Sequence, residues 1–121
     1  MPVLEQANTI GDVLHYEEDH QYSREVVTLA KGKEVKIGTI LVVHEQNGNY
    51  FLWHPQGKDG LDKPVAISIS NESSDQTDLD ILTIVRHAIL KASGLIWPDN
   101  ITDKQSEKAI DQLSLIGLLL R

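Results

Sequence analysis

Two apolar runs, Ile40 to His44 and Tyr50 to His54, flank the dipeptide Asn47-Gly48, and no other feature constrains the fold as strongly. Asn-Gly between apolar runs predicts a two-residue type I′ turn, because both residues tolerate positive φ. That turn sets Gln46 against Asn49, Val43 against Leu52 and Val42 against Trp53. One face of the hairpin then holds Ile40, Val42, His44, Phe51 and Trp53, and the other holds Leu41, Val43, Glu45, Tyr50, Leu52 and His54. Neither face is polar. A hairpin apolar on both sides has to be covered on both sides, and a small domain builds one core. The second cover is either another segment of the same chain or a partner subunit, so the hairpin is also a hint of oligomerisation.

The surrounding texture is β from Arg24 onward. Glu25 to Ala30 is rich in Val and Thr, Lys31-Gly32-Lys33 supplies a turn, and Val35 to Ile37 leads into Gly38. Pro55 to Asp62 reads as a loop, Val65 to Ser70 as a strand, and Asn71 to Asp80 as a polar, acidic loop. Ile81 to Ala92 is ambiguous: Ile81, Leu82, Val85, Ala88, Ile89 and Ala92 fit a helical stripe, while the β-branched run Thr83-Ile84-Val85 prefers a strand. Trp97-Pro98 marks a turn or a strand edge. Thr102 three residues before Gln105 is a capping box that starts a helix running to about Ser114, with Ala109, Ile110 and Leu113 as its apolar face. Gly117 stops it, and Leu118 to Leu120 forms a closing strand.

Residues 1–23 differ. Val3, Leu4, Ile10, Val13 and Leu14 are scattered among Pro2, Asn8, Gly11 and the cluster Glu17-Glu18-Asp19. So few apolar positions bury too little to offset the entropy of ordering. The expectation is a flexible N-terminal arm over 1–23 and a β-rich body over 24–121.

Composition narrows the function. At 121 residues the chain fits one domain, and 11 Lys and Arg against 18 Asp and Glu give a net charge of −7. Nucleic acid and anionic membrane both demand a positive face, so neither is an expected partner. Without cysteine there are no disulfides, thiolate metal sites or thiol nucleophiles. There is no apolar run of about 18 residues to span a bilayer, and no secretory signal at the N-terminus.

The histidines do not assemble a metal site. His44 and His54 fall on opposite faces of the hairpin, and His15 and His20 bracket acids at a spacing that matches no standard site. His87, beside Arg86 in an apolar segment, reads as a hydrogen-bonded structural histidine. Ser68, Ser70, Ser73 and Ser74 lack a nucleophile elbow, and Gly57 and Gly60 precede a strand instead of opening a phosphate-binding helix. Asp59, Asp62, Asp75, Asp78 and Asp80 lie in turn-like loops, where Asp is common for backbone reasons. The expectation is a protein that is not an enzyme and needs no cofactor or metal. The competing reading is a small-ligand- or metal-binding β-barrel protein, with Phe51, Trp53 and Trp97 lining a pocket instead of anchoring a core or interface.

Several segments, in order, resemble the lambda-type bacteriophage head decoration proteins. They are Ser23-Arg24-Glu25-Val26-Val27, Gly38-Thr39-Ile40-Leu41, Asn49 to Gly60 with Trp53 ahead of Asp59-Gly60, and Ala66-Ile67. Then come Leu82-Thr83-Ile84-Val85 running to Leu95-Ile96-Trp97-Pro98, a short polar helix, and a terminal strand starting at Gly117. A family-like Gly11-Asp12-Val13-Leu14 lies in the arm.

The resemblance implies a mainly β, small β-clip or barrel-like domain with one or two short helices, assembled as a homotrimer. It favours strand over helix for Leu82 to Ala92. It implies a capsid decoration, or cementing, role. Trimers would bind the major capsid protein outside the expanded head, at threefold and local threefold positions, and hold it against packaged-DNA pressure. Synthesis would be in the bacterial host cytoplasm and residence on the outer virion surface. The capsid-binding role falls on arm residues Ile10, Gly11, Asp12, Val13, Leu14, Tyr16 and Tyr22. Phe51, Trp53, Trp97 and Pro98 are the expected trimer-interface or core anchors.

Overall fold

The computed structural model describes residues 9–44, 48–56, 62–99 and 101–121. In chain order the elements are α1 (Ile10–Val13), β1 (Leu14–Glu17), α2 (His20–Ser23), β2 (Arg24–Leu29), β3 (Lys33–Val35), β4 (Ile40–Val43) and β5 (Tyr50–Leu52). There follow β6 (Ala66–Ser68), β7 (Glu72–Ser74), β8 (Leu79–Ile84), β9 (Ala88–Leu90), a 3₁₀ turn (Ala92–Gly94), α3 (Asp103–Leu115) and β10 (Leu118–Leu120). The chain is mainly β.

Five strands close a barrel in the order β2-β5-β4-β6-β8. Its longest ladder is antiparallel, from Arg24 opposite Ile84 to Leu29 opposite Leu79. Side chains alternate across each strand, so the wall has two faces. Val27, Leu29, Leu41, Ala66 and Ile81 form one buried cluster and fill the interior. On the other face Ile40, Ile67 and Ile84 stand opposite one another across β4, β6 and β8. They are buried together with Val42 and Trp53 beneath Val13, Leu90, Leu95, Ala109, Leu113 and Leu118. Burial on both faces explains why the strand from Ile40 reads as a continuous apolar run.

The hairpin faces expected from the sequence are present, but the register is shifted by two. Val43 pairs with Tyr50, Val42 with Phe51 and Leu41 with Leu52. The ladder continues as the His44 amide donates to the Asn49 carbonyl at 2.9 Å, and the Gly48 amide donates to the His44 carbonyl at 2.8 Å. Four residues, 45–48, therefore separate the strand ends, and Asn-Gly is not a two-residue turn. Asn47 lies outside the described residues, while Gly48 takes the positive φ (72°) foreseen for it. A shift of two keeps every side chain on its face. Both covers come largely from the same chain, although Leu52 stays 42% exposed and Tyr50 and Phe51 are half-buried.

The ambiguous stretch is two strands, β8 and β9, interrupted by His87 at φ 50°. Asn71 to Asp80 is not wholly loop. β7 pairs antiparallel with β3, and the buried Ser74 hydroxyl donates to the Ala30 carbonyl at 2.9 Å. Polar residues hide this strand, because it is held by hydrogen bonds and not by apolar alternation. The α3 capping box is formed, with the Gln105 amide donating to the Thr102 hydroxyl and the Thr102 amide to the Gln105 side chain. Gly117, at φ 88°, ends the helical segment. β9 and β10 are parallel, a pairing that requires a crossover, and α3 supplies it.

Trp53 is 4% exposed, and its indole N–H donates to the Asp62 carbonyl at 2.8 Å. Replacing it with Ala is expected to cost about 3–5 kcal/mol in denaturant unfolding, as for other buried aromatic truncations. A loss below about 1 kcal/mol would mean that the ring is not a core anchor.

Candidate functional site

The segment read as an arm is folded onto the body from Thr9 onward. Thr9 caps α1: its backbone N–H donates to the Asp12 carboxylate at 2.8 Å and its hydroxyl lies 3.2 Å from it. These bonds, the backbone one first, hold the Asp12 carboxyl below its usual range. α1 delivers Val13 into the outer core, fully buried, with Ile10 and Leu14 packed at its edge. β1 then pairs antiparallel with β9, with an irregularity at His15. Three apolar residues suffice here because their partners are distant in sequence, which no local pattern reports.

Two features of the 91–94 region receive this segment. The Lys91 amide donates to the Val13 carbonyl at 2.7 Å, and its ammonium to the Gly11 carbonyl, also at 2.7 Å. Gly94 is the closer constraint. A Cβ placed there would lie 2.1 Å from the Asp12 carbonyl oxygen and 3.1 Å from Val13 Cα, so the helix can sit down only on a glycine.

Beyond β1 the turn at His87 acts as a clasp. Its carbonyl accepts from the Glu18 amide at 3.0 Å and the Ser23 hydroxyl at 3.2 Å. The Tyr22 and His87 rings meet edge-on at 4.9 Å. Arg86 lies over the Tyr22 ring, donates to the Tyr22 carbonyl and pairs with Glu25 at 3.0 Å. Arg24 and Glu17 form a two-bond ion pair at 2.8 and 3.0 Å. His87 is exposed, so its structural role runs through its backbone and ring face and not through a buried imidazole.

The residues assigned to the arm thus divide. Val13 is core, Ile10 and Leu14 are half-buried, Gly11 and Asp12 serve the docked helix, and Tyr16 and Tyr22 are exposed at 56% and 46%. Among the anchors, Trp53 is core. Trp97 packs edge-on against it at 6.1 Å, and Phe51, Trp97 and Pro98 keep part of their surface exposed. Burial, and then the Glu25 carboxylate, push the nearby Tyr50 hydroxyl above its usual range. Gly94, Lys91 and the backbone of His87 carried no recognisable signal in the sequence.

Among the described residues no three His, Asp or Glu side chains converge on a metal position. None of the described buried side-chain polar atoms lacks a hydrogen-bond partner. The barrel interior is filled with side chains.

Gly94→Ala is expected to lower stability by about 1–3 kcal/mol, the usual cost of overpacking. It should also speed proteolytic cleavage between residues 9 and 17. Unchanged cleavage would show that the α1 contact does not hold the segment down. The Asp12 cap carries a pH signature. A carboxylate with a lowered folded-state pKa stabilises above the ordinary carboxylate range and loses that contribution as pH falls through its folded value. The stability gap between the parent and Asp12→Ala should therefore narrow from neutral pH toward about pH 3; a gap independent of pH would contradict the cap.

No curated protein matches the chain. The family model for the bacteriophage lambda head decoration protein D does, over residues 3–118. That match takes in the docked N-terminal segment, the barrel, the crossover helix and the first residue of the final strand, and on its strength the chain belongs to the lambda head decoration protein family.

Proposed function

We propose that the chain is a cementing protein. It binds as a homotrimer outside the expanded phage head, at threefold and local threefold positions, and braces the major capsid protein against the pressure of packaged DNA. The single observation that carries this reading is the family match over nearly the whole chain. The family is structural and its place is the virion capsid. On the same reading the chain is made in the host cytoplasm, and its partners are itself and the major capsid protein. A net charge of −7 suits neither nucleic acid nor an anionic membrane as a further partner.

Attachment is assigned to the N-terminal segment up to residue 23. The exposed Tyr16 and Tyr22 are its available contacts within the folded part, and Val3 and Leu4 lie ahead of Thr9. Strand addition suits such a segment, because backbone hydrogen bonds supply affinity and a few side chains fix register. Three attached segments per trimer would turn modest single contacts into tight capture, provided their spacing matches that of the capsid sites. Phe51, Trp97 and Pro98, partly exposed around the buried Trp53, are assigned to the trimer contact.

Incubation with expanded, undecorated capsids of the matching phage tests the reading. The full chain should co-sediment with them, and a chain lacking residues 1–8 should bind at least tenfold more weakly while unfolding at the same temperature. Equal binding by the shortened chain would remove these residues from attachment. In solution the mass should be about three times the 13.5 kDa of the chain. A monomer at micromolar concentration would contradict a preformed trimer.

A further inference from the structure

β9 is shared by the N-terminal segment and the final strand. β1 pairs with one of its edges, antiparallel, and β10 with the other, parallel. At each end of β9, neighbouring residues hold the two in turn. At the start, the His87 carbonyl accepts from the Glu18 amide at 3.0 Å, and the Ala88 amide donates to the Gly117 carbonyl at 3.1 Å. At the finish, the Lys91 amide donates to the Val13 carbonyl at 2.7 Å, and the Arg121 amide donates to the Leu90 carbonyl at 2.8 Å.

His87 is the joint. Among the described residues it is the one non-glycine residue with positive φ, at 50°, a conformation that persists where the surroundings over-determine it. Those surroundings come from both sides. A Cβ at Gly117 would lie 2.7 Å from His87 Cδ2 and 3.0 Å from its backbone nitrogen, so the turn before β10 rests directly on it. From the N-terminal side the Tyr22 ring meets the imidazole edge-on at 4.9 Å, and the Ser23 hydroxyl donates to the His87 carbonyl at 3.2 Å. Val13, Leu90 and Leu118 share one buried cluster over the outer barrel wall, while the barrel interior is a separate cluster.

We infer that the N-terminal segment and the final strand seat and lift together, as one cooperative unit jointed at His87, over a barrel that stays closed. Loss of β10 frees His87 from Gly117 and uncovers the cluster that buries Val13; loss of β1 and α1 does the converse. Proteins open locally in contiguous units of this kind, and coupling between two sites is reciprocal. The unit belongs to the free chain and holds whatever the N-terminal segment binds.

Native-state amide hydrogen exchange of the full chain tests it. Glu18 and Lys91 report the seating of the N-terminal segment, and Ala88 and Arg121 that of the final strand. In the parent, all four amides should share one opening, with at least tenfold less protection than the most protected amides of the β2–β8 ladder. Asp12→Ala, which removes the α1 cap, should speed all four by a common factor of about threefold or more. Gly117→Ala should do the same from the other side, with Gly117→Asn, which tolerates positive φ, in its place should that chain not fold. Ile10→Ala repeats the N-terminal test where the loss of the cap is too small to read. Faster exchange at Glu18 and Lys91 with Ala88 and Arg121 unchanged would overturn the inference, because the two would then open independently. Rates unchanged at all four sites in both N-terminal variants would overturn it as well. Four amides as protected in the parent as the β2–β8 ladder would also contradict it, by making the cover and the barrel a single unit.

Discussion

The rest of the structure depends on the need to bury both faces of one barrel wall. Ile40, Ile67 and Ile84 sit side by side on its outer surface, and Leu41, Ala66 and Ile81 point the other way. Closing the barrel satisfies the inner set. The outer set needs a second layer, and the chain supplies it from both of its ends: Val13 from the N-terminal segment, Leu113 from the crossover helix and Leu118 from the final strand. Removal of apolar surface from water at roughly 25 cal/mol per Å² is ample reason for a scantly apolar N-terminal segment to dock.

That second layer links the fold to the function of the family. An N-terminal segment wholly detached from the body could transmit force to it only through a loose tether. Here the segment is pinned by the Gly94 close approach, by Lys91 and by the His87 turn before it enters β2. The family decorates the phage head, and in this member the N-terminal segment is seated on the body.

Much of this was legible in the residues. The two-sided hairpin, the capping box at Thr102, the stop at Gly117 and the closing strand each have a local cause, and each is present. What was not legible has non-local causes. The hairpin register moved by two because the ladder ends at His44 and Asn49, which a rule based on the Asn47-Gly48 dipeptide does not foresee. β7 is built of Glu72, Ser73 and Ser74 and is held by a hydroxyl, so hydropathy misses it. The stretch from Ile81 looked equally helical because burial of both faces erases the alternation that marks a strand. Docking of residues 9–17 was invisible because its determinants, Gly94 and Lys91, lie some eighty residues away in sequence. The site followed the same pattern: Tyr16 and Tyr22 are candidates that the sequence offers, whereas the pairing of the Tyr16 strand with β9 is visible only in the structure.

A cryo-electron microscopy reconstruction of expanded heads incubated with the chain tests the central claim most directly. The account predicts added density on the outside of the shell at the threefold positions. Heads without added density would contradict it.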